Sequence, residues 1–458
     1  MSEISISTNR KSGSPMIQWL FTPLVLSIFL GVYVAGMFFI AEHKVGISKD
    51  DDFVEDIEVQ ERWAEGGNKL RQLAFISCAA IGTLSLLFGR QGRFRLNLPI
   101  VLIVGYVLWA GVSVTWSIDT GSTIRRYMVV VLCAIGCLGF GRFLQVKDVV
   151  LAAMVLSLIY LTLGVMLEIV HGSFRPHVGG YRFAGTIHPN IQAASLAMGC
   201  IAAYTMSKIQ PKLKLAFYGV FGVLFLFLVL TKCRSATGAV PVALGVIWLG
   251  SQPTRNIVIW SLAGFWLLST IVLLCLVSGF NPITEYQEIL LLGRQEETGS
   301  SLTGRLPLWQ DLMTYVSQQP WRGFGFGAFW TPKHIYEIAT SQEWVISEAH
   351  SSYVEATLHM GIIGAGLLTA TMFATLFHSA IMYRKTLRHP EYLFVTGGAF
   401  FCIVRGLTES GLTGPSSVTA FLFLAIVAHS WNGMRNLIDN PDTANDDLKS
   451  PLSSNSQT

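Results

Sequence analysis

The apolar residues of this chain fall into long, nearly unbroken runs separated by short polar connectors. Runs at about 17–40, 71–89, 97–116, 123–140, 148–170, 189–206, 213–230, 235–250, 256–280, 351–381, 392–408 and 416–432 give twelve segments. Each is too long for a buried strand and approaches the ~20 residues that a helix needs to cross a bilayer. A segment in lipid must satisfy its own backbone hydrogen bonds, so the runs predict helices. The first, Ile17 to Ile40, is too long for a signal-peptide core. It is followed by Glu42-His43-Lys44 rather than a small-residue cleavage site, so it is expected to remain as a span.

The pattern predicts an all-α polytopic membrane protein of about twelve transmembrane helices, with a long, partly helical external loop before the tenth. Residues 1–16 form an N-terminal tail, 17–280 carry the first nine spans, and an acidic loop at 41–70 interrupts them. Residues 281–350 form the large loop, 351–432 the last three spans, and 433–458 a polar tail without apolar periodicity, expected to be disordered.

Composition narrows the class further. Of 458 residues, 52% are hydrophobic and 13% charged, and the mean hydropathy is +0.51. A soluble protein carries roughly 25% charged residues, so a soluble enzyme, a disordered chain and a secreted disulfide scaffold are all set aside. Six of the seven cysteines lie inside apolar runs, where a thiol packs as a small hydrophobe. Cys133 and Cys137 share a helix face, but no ionisable neighbour completes a metal site there. The net charge of +4 is spread through the connectors and forms no nucleic-acid face.

An even number of spans places both termini on one side. With the termini inside, internal and external segments each hold 16 of the 32 basic residues. Setting aside the long loop, with its four, leaves 16 inside against 12 outside, which favours cytoplasmic termini. The unusual polar sequences then all fall on the external side.

Four segments there carry candidate chemistry. The first runs Arg175-Pro-His-Val-Gly-Gly-Tyr-Arg182-Phe-Ala-Gly-Thr-Ile-His188-Pro189-Asn190, in which Arg182 can fork onto an anionic oxygen pair and Pro189 suits a helix first turn. The second, Thr231-Lys-Cys-Arg234-Ser-Ala-Thr-Gly238, sets Arg234 at a helix N-terminus, a ready anion site. The third opens as an amphipathic helix from Ser300 through Arg305 and Trp309 to Tyr315. It then passes into Pro320-Trp321-Arg322-Gly-Phe-Gly-Phe-Gly-Ala-Phe-Trp330, where alternating aromatic residues are expected to present faces to sugar rings. The bland alternative for Trp309, Trp321, Trp330 and Trp344 is an interfacial aromatic belt.

The fourth is Glu348-Ala-His350-Ser-Ser-Tyr353-Val-Glu355-Ala-Thr-Leu-His359-Met-Gly361-Ile-Ile-Gly364. His350 stands at a helix entrance, where neighbouring positive charge and the helix N-terminus are expected to favour the neutral imidazole that a base requires. Glu355 and His359, spaced i and i+4, are expected to meet a turn or two inside the membrane. Ionisation there costs about 2.5–3.5 kcal/mol on insertion scales, so a partner or a function is required. The Asp50-Asp51-Asp52 run sits among further acidic residues and reads as a solvated segment, not a metal site.

Taken together, Arg182-x-x-Gly185-x-x-His188-Pro189-Asn190, Arg234-Ser-Ala-Thr-Gly238, Thr303-Gly304-Arg305-x-x-x-Trp309 with Pro320-x-x-Gly323-x-Gly325, and His350-Ser-x-Tyr353-x-Glu355 resemble the O-antigen ligase and polymerase superfamily. Within it, the Gly304-Arg305 passage is similar to exopolysaccharide polymerases. Ser351 departs from the pattern, since many members carry Asn there.

The resemblance implies a glycosyltransferase with neither metal nor cofactor, working on the periplasmic face of the bacterial cytoplasmic (inner) membrane. Its partners would be a glycan donor on undecaprenyl diphosphate, a glycan or lipid A core acceptor, membrane lipids and other polysaccharide-assembly proteins, but no nucleic acid. In these terms His350, Arg234 and Arg182 are the candidate catalytic residues. Arg305, Asn190, His188, Glu348, Tyr353, Trp309, Trp321, Arg322 and Trp330 would bind substrate. A transporter or flippase of lipid-linked intermediates is the competing reading, but the two halves show no internal repeat and the charged motifs cluster at span ends rather than at the midplane.

Overall fold

The computed structural model describes residues 23–42, 69–88, 94–178, 180–185, 187–278, 302–342, 346–385 and 389–432. Both tails, the Asp50-Asp51-Asp52 run, residues 281–301 and Trp344 lie outside them. The described residues form α-helices and connectors, with no strand.

Each predicted apolar run coincides with a helix: α1 Pro23–Glu42, α2 Lys69–Phe88, α3 Leu98–Val112, α4 Thr120–Phe143, α5 Val146–Val170, α6 Pro189–Ile209, α7 Lys214–Leu230, α8 Arg234–Gly250 and α9 Thr254–Ser278, then, after the long loop, α12 Ser352–Lys385, α13 Glu391–Gly406 and α14 Ser417–Asn432. Within the loop lie α10 Leu302–Gln318, the amphipathic helix expected from Ser300 onward, and α11 Pro332–Gln342, which the sequence pattern did not indicate. By length and composition, seven described helices can cross a membrane: α2, α3, α4, α5, α7, α9 and α12. Shorter apolar stretches occupy Ile28–Phe38, Arg234–Gly250 and Ser417–Trp431. Each expected span thus contains a helix over its described residues, and length and apolarity support crossing for seven.

The main core centres on α6. Ala193, Leu196, Ala197, Cys200, Ile201 and Ala202 along it are at most 1% exposed and pack against buried residues of α5, α8 and α13. Cys133 and Cys137 are buried in the same apolar core. Elsewhere small residues bring helices close. A side chain at Gly139 of α4 would collide with the Gly82 carbonyl oxygen of α2, so these backbones touch as in other small-residue membrane interfaces.

A second apolar cluster stands apart from the bundle core. Leu308 and Leu312 of α10, Ile335 and Ile338 of α11, and Phe324, Phe329 and Trp330 between them close over Leu358 of α12. The connection is made through a break in α12. Gly361 adopts φ 66°, ψ −171°, a conformation essentially confined to glycine. The carbonyls freed by the break find donors elsewhere. Leu358 and His359 accept from the amides of Phe324 (2.8 Å) and Gly325 (2.9 Å), and Met360 accepts from the Trp109 indole (3.0 Å). The Ile362 amide in turn reaches the Pro320 carbonyl (2.8 Å).

The Gly-aromatic passage therefore threads into a broken helix instead of spreading an aromatic platform over the surface. A Cβ at Gly361 would collide with the Trp321 carbonyl, and one at Gly323 would lie 2.5 Å from the Met360 amide. Gly361→Ala should thus incur roughly 1–3 kcal/mol of backbone strain and also expel the loop. The expected result is a lower melting temperature in detergent and new protease cleavage between residues 320 and 330. A wild-type melting curve with an intact loop would contradict this account.

Contacts sort the connectors into two ends. At one, the loops after α3 and α13 meet the long loop, as in Ile118 N–H to Phe324 O (3.1 Å), and the loop after α5 meets the end of α7, as in Phe183 N–H to Leu230 O (2.9 Å). At the other, Arg95 N–H meets Ser430 O (3.0 Å), and the Arg142 guanidinium lies 5.2 Å from the Trp431 ring centre. All four polar motifs lie at the first end.

Candidate functional site

The site grows from the N-terminus of the central helix. His188 caps α6, its Nδ1 accepting from the Asn190 amide (3.3 Å), and Pro189 holds the first turn. Asn190, on this rigid support, links three chain segments. Its Oδ1 accepts from Arg182 Nη2 (3.2 Å), its Nδ2 donates to Glu409 Oε1 (3.0 Å), and its carbonyl accepts from Arg405 Nη2 (3.3 Å).

Glu409 also meets Arg305. Nη2 of Arg305 lies 3.5 Å from Glu409 Oε1, and Nη1 donates to the Thr408 carbonyl (2.5 Å). Arg182 extends to the α7–α8 turn through Nε to Thr231 O (3.1 Å), which brings it beside the turn that carries Arg234 at the start of α8. Residues up to 219 apart in sequence thus assemble around one carboxylate.

Three arginines, Arg182, Arg305 and Arg405, face two carboxylates, Glu409 and Glu348, with Arg234 adjacent, so cationic charge is in excess. Arg405 and Glu409 are 8% and 5% exposed. The Nε–H groups of both Arg305 and Arg405 are buried with no hydrogen-bond partner among the described residues. Buried donors are normally satisfied, and charged ones especially so, hence two unsatisfied guanidinium N–H groups in one cluster mark a place for an anion.

His350 approaches from the other side. It sits at φ 48°, a left-handed conformation uncommon outside glycine, just before α12. Its neighbour Ala349 is held at both backbone polar groups. The amide donates to Glu355 Oε2 (2.7 Å) and the carbonyl accepts from the Trp309 indole (2.9 Å). Nδ1 of His350 lies 3.1 Å from Glu348 Oε1. The half-exposed Glu348 carboxyl is crowded by protein that disfavours its charge, yet His350, His188 and Arg405 outweigh this and hold it below the ordinary carboxylate range. At His188, desolvation lowers the pKa against the pull of Glu348 and Glu409, with Arg182 and His350 adding to the lowering, so it stays neutral at pH 7.

Several expected site residues also serve the packing and hydrogen bonding of this end of the bundle. Trp330 is 5% exposed and donates its indole N–H to Glu355 Oε1 (2.8 Å), so it offers no ring face to a sugar. Tyr353 donates to the Ile403 carbonyl of α13 (3.0 Å). Trp309 is part-buried in the second cluster. Trp321 is 65% exposed and lies at the Gly361 break, while Arg322 stacks 5.7 Å from the Trp116 ring centre.

Glu355 and His359 do meet, at 3.1 Å. Trp330 and the Ala349 amide satisfy the Glu355 carboxylate, whereas neither ring nitrogen of His359 makes a hydrogen bond among the described residues; both residues lie on the short arm of α12 before its break. Glu348, His350 and Glu409 bring one potential ligand atom each within 4.8 Å of one another. Glu409 already serves Asn190 and Arg305, and the surrounding guanidinium charge disfavours a cation there.

Arg405 and Glu409 were not singled out in the sequence. Their signal was present, since an arginine at the end of the run 392–408 is an expensive charge in an apolar segment. Glu168 was missed as well. At 5% exposure it accepts from the amides of Ala184 (3.0 Å) and Gly185 (2.8 Å) and from the Tyr181 hydroxyl (2.5 Å), fixing the loop that carries Arg182. Glu168→Ala should leave both amides unsatisfied, at about 1–3 kcal/mol each, lowering the melting temperature and loosening Arg182. An unchanged melting curve would remove Glu168 from this role.

Fold and site together define a multi-pass membrane protein with an arginine-rich, histidine-bearing polar site at one end of its helix bundle. Residues 219–369 match the Wzy_C family, described as O-Antigen ligase. The chain is also 23% identical over 338 residues to the Exopolysaccharide production protein ExoQ of Rhizobium meliloti (strain 1021), covering 70% of this chain and 74% of that protein. The resemblance read from the motifs is borne out: the chain is O-antigen ligase/polymerase-like.

Proposed function

We propose that this protein is a membrane glycosyltransferase that moves a glycan from undecaprenyl diphosphate to an acceptor sugar at the periplasmic face of the bacterial cytoplasmic membrane, as a polysaccharide polymerase or O-antigen ligase. In this reading all twelve long helices cross the membrane, both termini are cytoplasmic and the arginine end faces outward. The observation that carries it is the convergence of Arg182, Arg305 and Arg405 on Asn190 and Glu409, with two buried guanidinium N–H groups left for an anion.

The acceptor hydroxyl attacks the anomeric carbon, and a new C–O bond forms as the bond from that carbon to the diphosphate breaks. The hydroxyl proton passes to Nε2 of His350, whose Nδ1 side is engaged by Glu348 at 3.1 Å. Negative charge grows on the departing undecaprenyl diphosphate, and preset guanidinium groups stabilise it without reorganising solvent. The donor already carries its leaving group, so the reaction needs no nucleotide sugar and, in this reading, no metal.

Purified protein supplied with lipid-linked oligosaccharide and acceptor should form a glycosidic bond, at undiminished rate in a chelator. Loss of activity on chelation, restored by a divalent cation, would overturn metal independence. Absence of any new bond would overturn the enzyme reading in favour of transport. Deletion separates the two activities: single repeats without a ladder indicate a lost polymerase, and finished chains stranded on lipid indicate a lost ligase.

A further inference from the structure

A buried carboxylate ties the external loop to the turn that carries His350. Glu355, in the first turn of α12, is 5% exposed, and each of its oxygens has its own donor. Oε1 accepts from the Trp330 indole (2.8 Å) and Oε2 from the Ala349 amide (2.7 Å). Nε2 of His359 stands 3.1 Å from the same Oε1, and Arg126 of α4, which donates to the Gly327 carbonyl of the loop, adds its positive field. Trp330, Ala349 and His359 are themselves at most 5% exposed, so water cannot replace a donor that is lost. What a carboxylate supplies here, and an amide of the same shape cannot, is an acceptor on both sides.

The Ala349 end of this chain bears on His350. A non-glycine residue at φ 48° persists only where its surroundings over-determine it. Four backbone groups beside His350 are held. The Ala349 carbonyl accepts from the Trp309 indole (2.9 Å), the Ser351 amide donates to Ser410 Oγ (3.2 Å), and the Ser351 carbonyl accepts from the Glu355 amide (2.9 Å). The fourth, the Ala349 amide, is the one bonded to a carboxylate, and charge-assisted bonds of this kind are roughly twice as strong as neutral ones. Two of the four holds thus lead to the external loop, one directly through Trp309 and one through Glu355 to Trp330.

We propose that Glu355 is a positioning residue for His350: its carboxylate, fixed by Trp330, holds the left-handed turn through Ala349, so that the seating of the external loop sets the imidazole against Glu348. The inference rests on the base assigned to His350 under the proposed function. In this role Glu355 acts through the backbone, without contact with substrate.

Two nearly isosteric variants test it. Glu355→Gln keeps the size of the side chain but turns an NH2 group toward a donor, and Trp330→Phe removes the indole N–H while leaving an aromatic ring. Full-length protein in detergent is read for kcat and KM of transfer and, separately, for hydrogen exchange by mass spectrometry. Each variant should lower kcat by about 10–10²-fold, the scale of an ångström-level misplacement, with donor and acceptor KM within about twofold of wild type. Exchange in the segment 346–351 should quicken by about tenfold or more, the loss of one hydrogen bond to a charged group. The amides of Phe324 and Gly325, bonded to α12, should stay protected. The double variant should lose no more than the worse single one, because both break the same chain of contacts. Tyr315→Phe, which removes a hydrogen bond to Glu337 elsewhere in the loop (3.0 Å), should move neither readout.

Unchanged exchange at 346–351 in Glu355→Gln would overturn the proposal. So would full kcat despite faster exchange, or a rise in KM together with lost protection at Phe324 and Gly325, the mark of a merely structural role. Exchange is read without turnover, so the failures separate. A wild type that forms no glycosidic bond, while Glu355→Gln still loosens 346–351, defeats the enzyme reading and keeps the tie between loop and turn. Full transfer in Glu355→Gln defeats the positioning role alone.

Discussion

Exchanging His350 for asparagine is expected to lower glycosyl transfer by about 10²–10⁴-fold, the usual contribution of a positioned general base. Asparagine is the informative substitute because His350 occupies φ 48°. Asparagine tolerates the left-handed region better than most residues, so the backbone between Ala349 and Ser351 can keep its shape. The clamp on Ala349 from Glu355 and Trp309 remains in either case. The substitution removes the acceptor for the hydroxyl proton, and with it the imidazole contact to Glu348. Donor binding, measured as retained lipid-linked oligosaccharide, should stay within a few-fold of wild type. Transfer at the full rate in His350→Asn, at equal protein level, would show that the proton goes elsewhere and would leave His350 a structural turn.

The helical plan was legible because it depends on local properties. Lipid demands internal hydrogen bonding and long apolar runs, and both are written in consecutive residues. The run 213–230, for example, matches α7 at Lys214–Leu230. The break in α12 was not legible as such. Its apolar pattern continues through Gly361, and only the inserted loop, some 40 residues upstream, explains why the chain bends there. Aromatic density likewise misled. Trp330 reads as a sugar-stacking surface until its indole is seen to serve Glu355, a partner 25 residues away.

The arginine motifs were visible singly, each with an innocent interfacial interpretation. Their common focus was not, since Asn190 meets Glu409 and Arg405 across 219 and 215 residues, and nothing in a single sequence encodes that meeting. The missed residues share a physical character: Arg405, Glu409 and Glu168 lie at the ends of apolar helices, where a hydropathy window averages one charge into many hydrophobic neighbours. An isolated charge within or bordering such a run is the sign that recovers them.

Arg405→Lys is expected to reduce transfer by about 10²–10³-fold, comparable to removing one fixed donor to a developing negative charge. The exchange keeps the positive charge, so simple attraction of an anionic donor should persist. What it removes is the planar fork: one edge of the guanidinium reaches the Asn190 carbonyl while Nε–H stays unpartnered, and an ammonium cannot present both at fixed geometry. The loss should therefore fall mainly on kcat, with a smaller change in the donor KM. Arg234→Lys, at the start of α8, should fail in the same sense if that side chain also contributes a fork to the diphosphate. The control is Arg322→Lys. Arg322 stacks on Trp116 at the α12 break, so its replacement should affect stability more than turnover. Equal losses at Arg405 and Arg322 would mean that charge at this end of the bundle acts diffusely, and the focused diphosphate site would have to be abandoned.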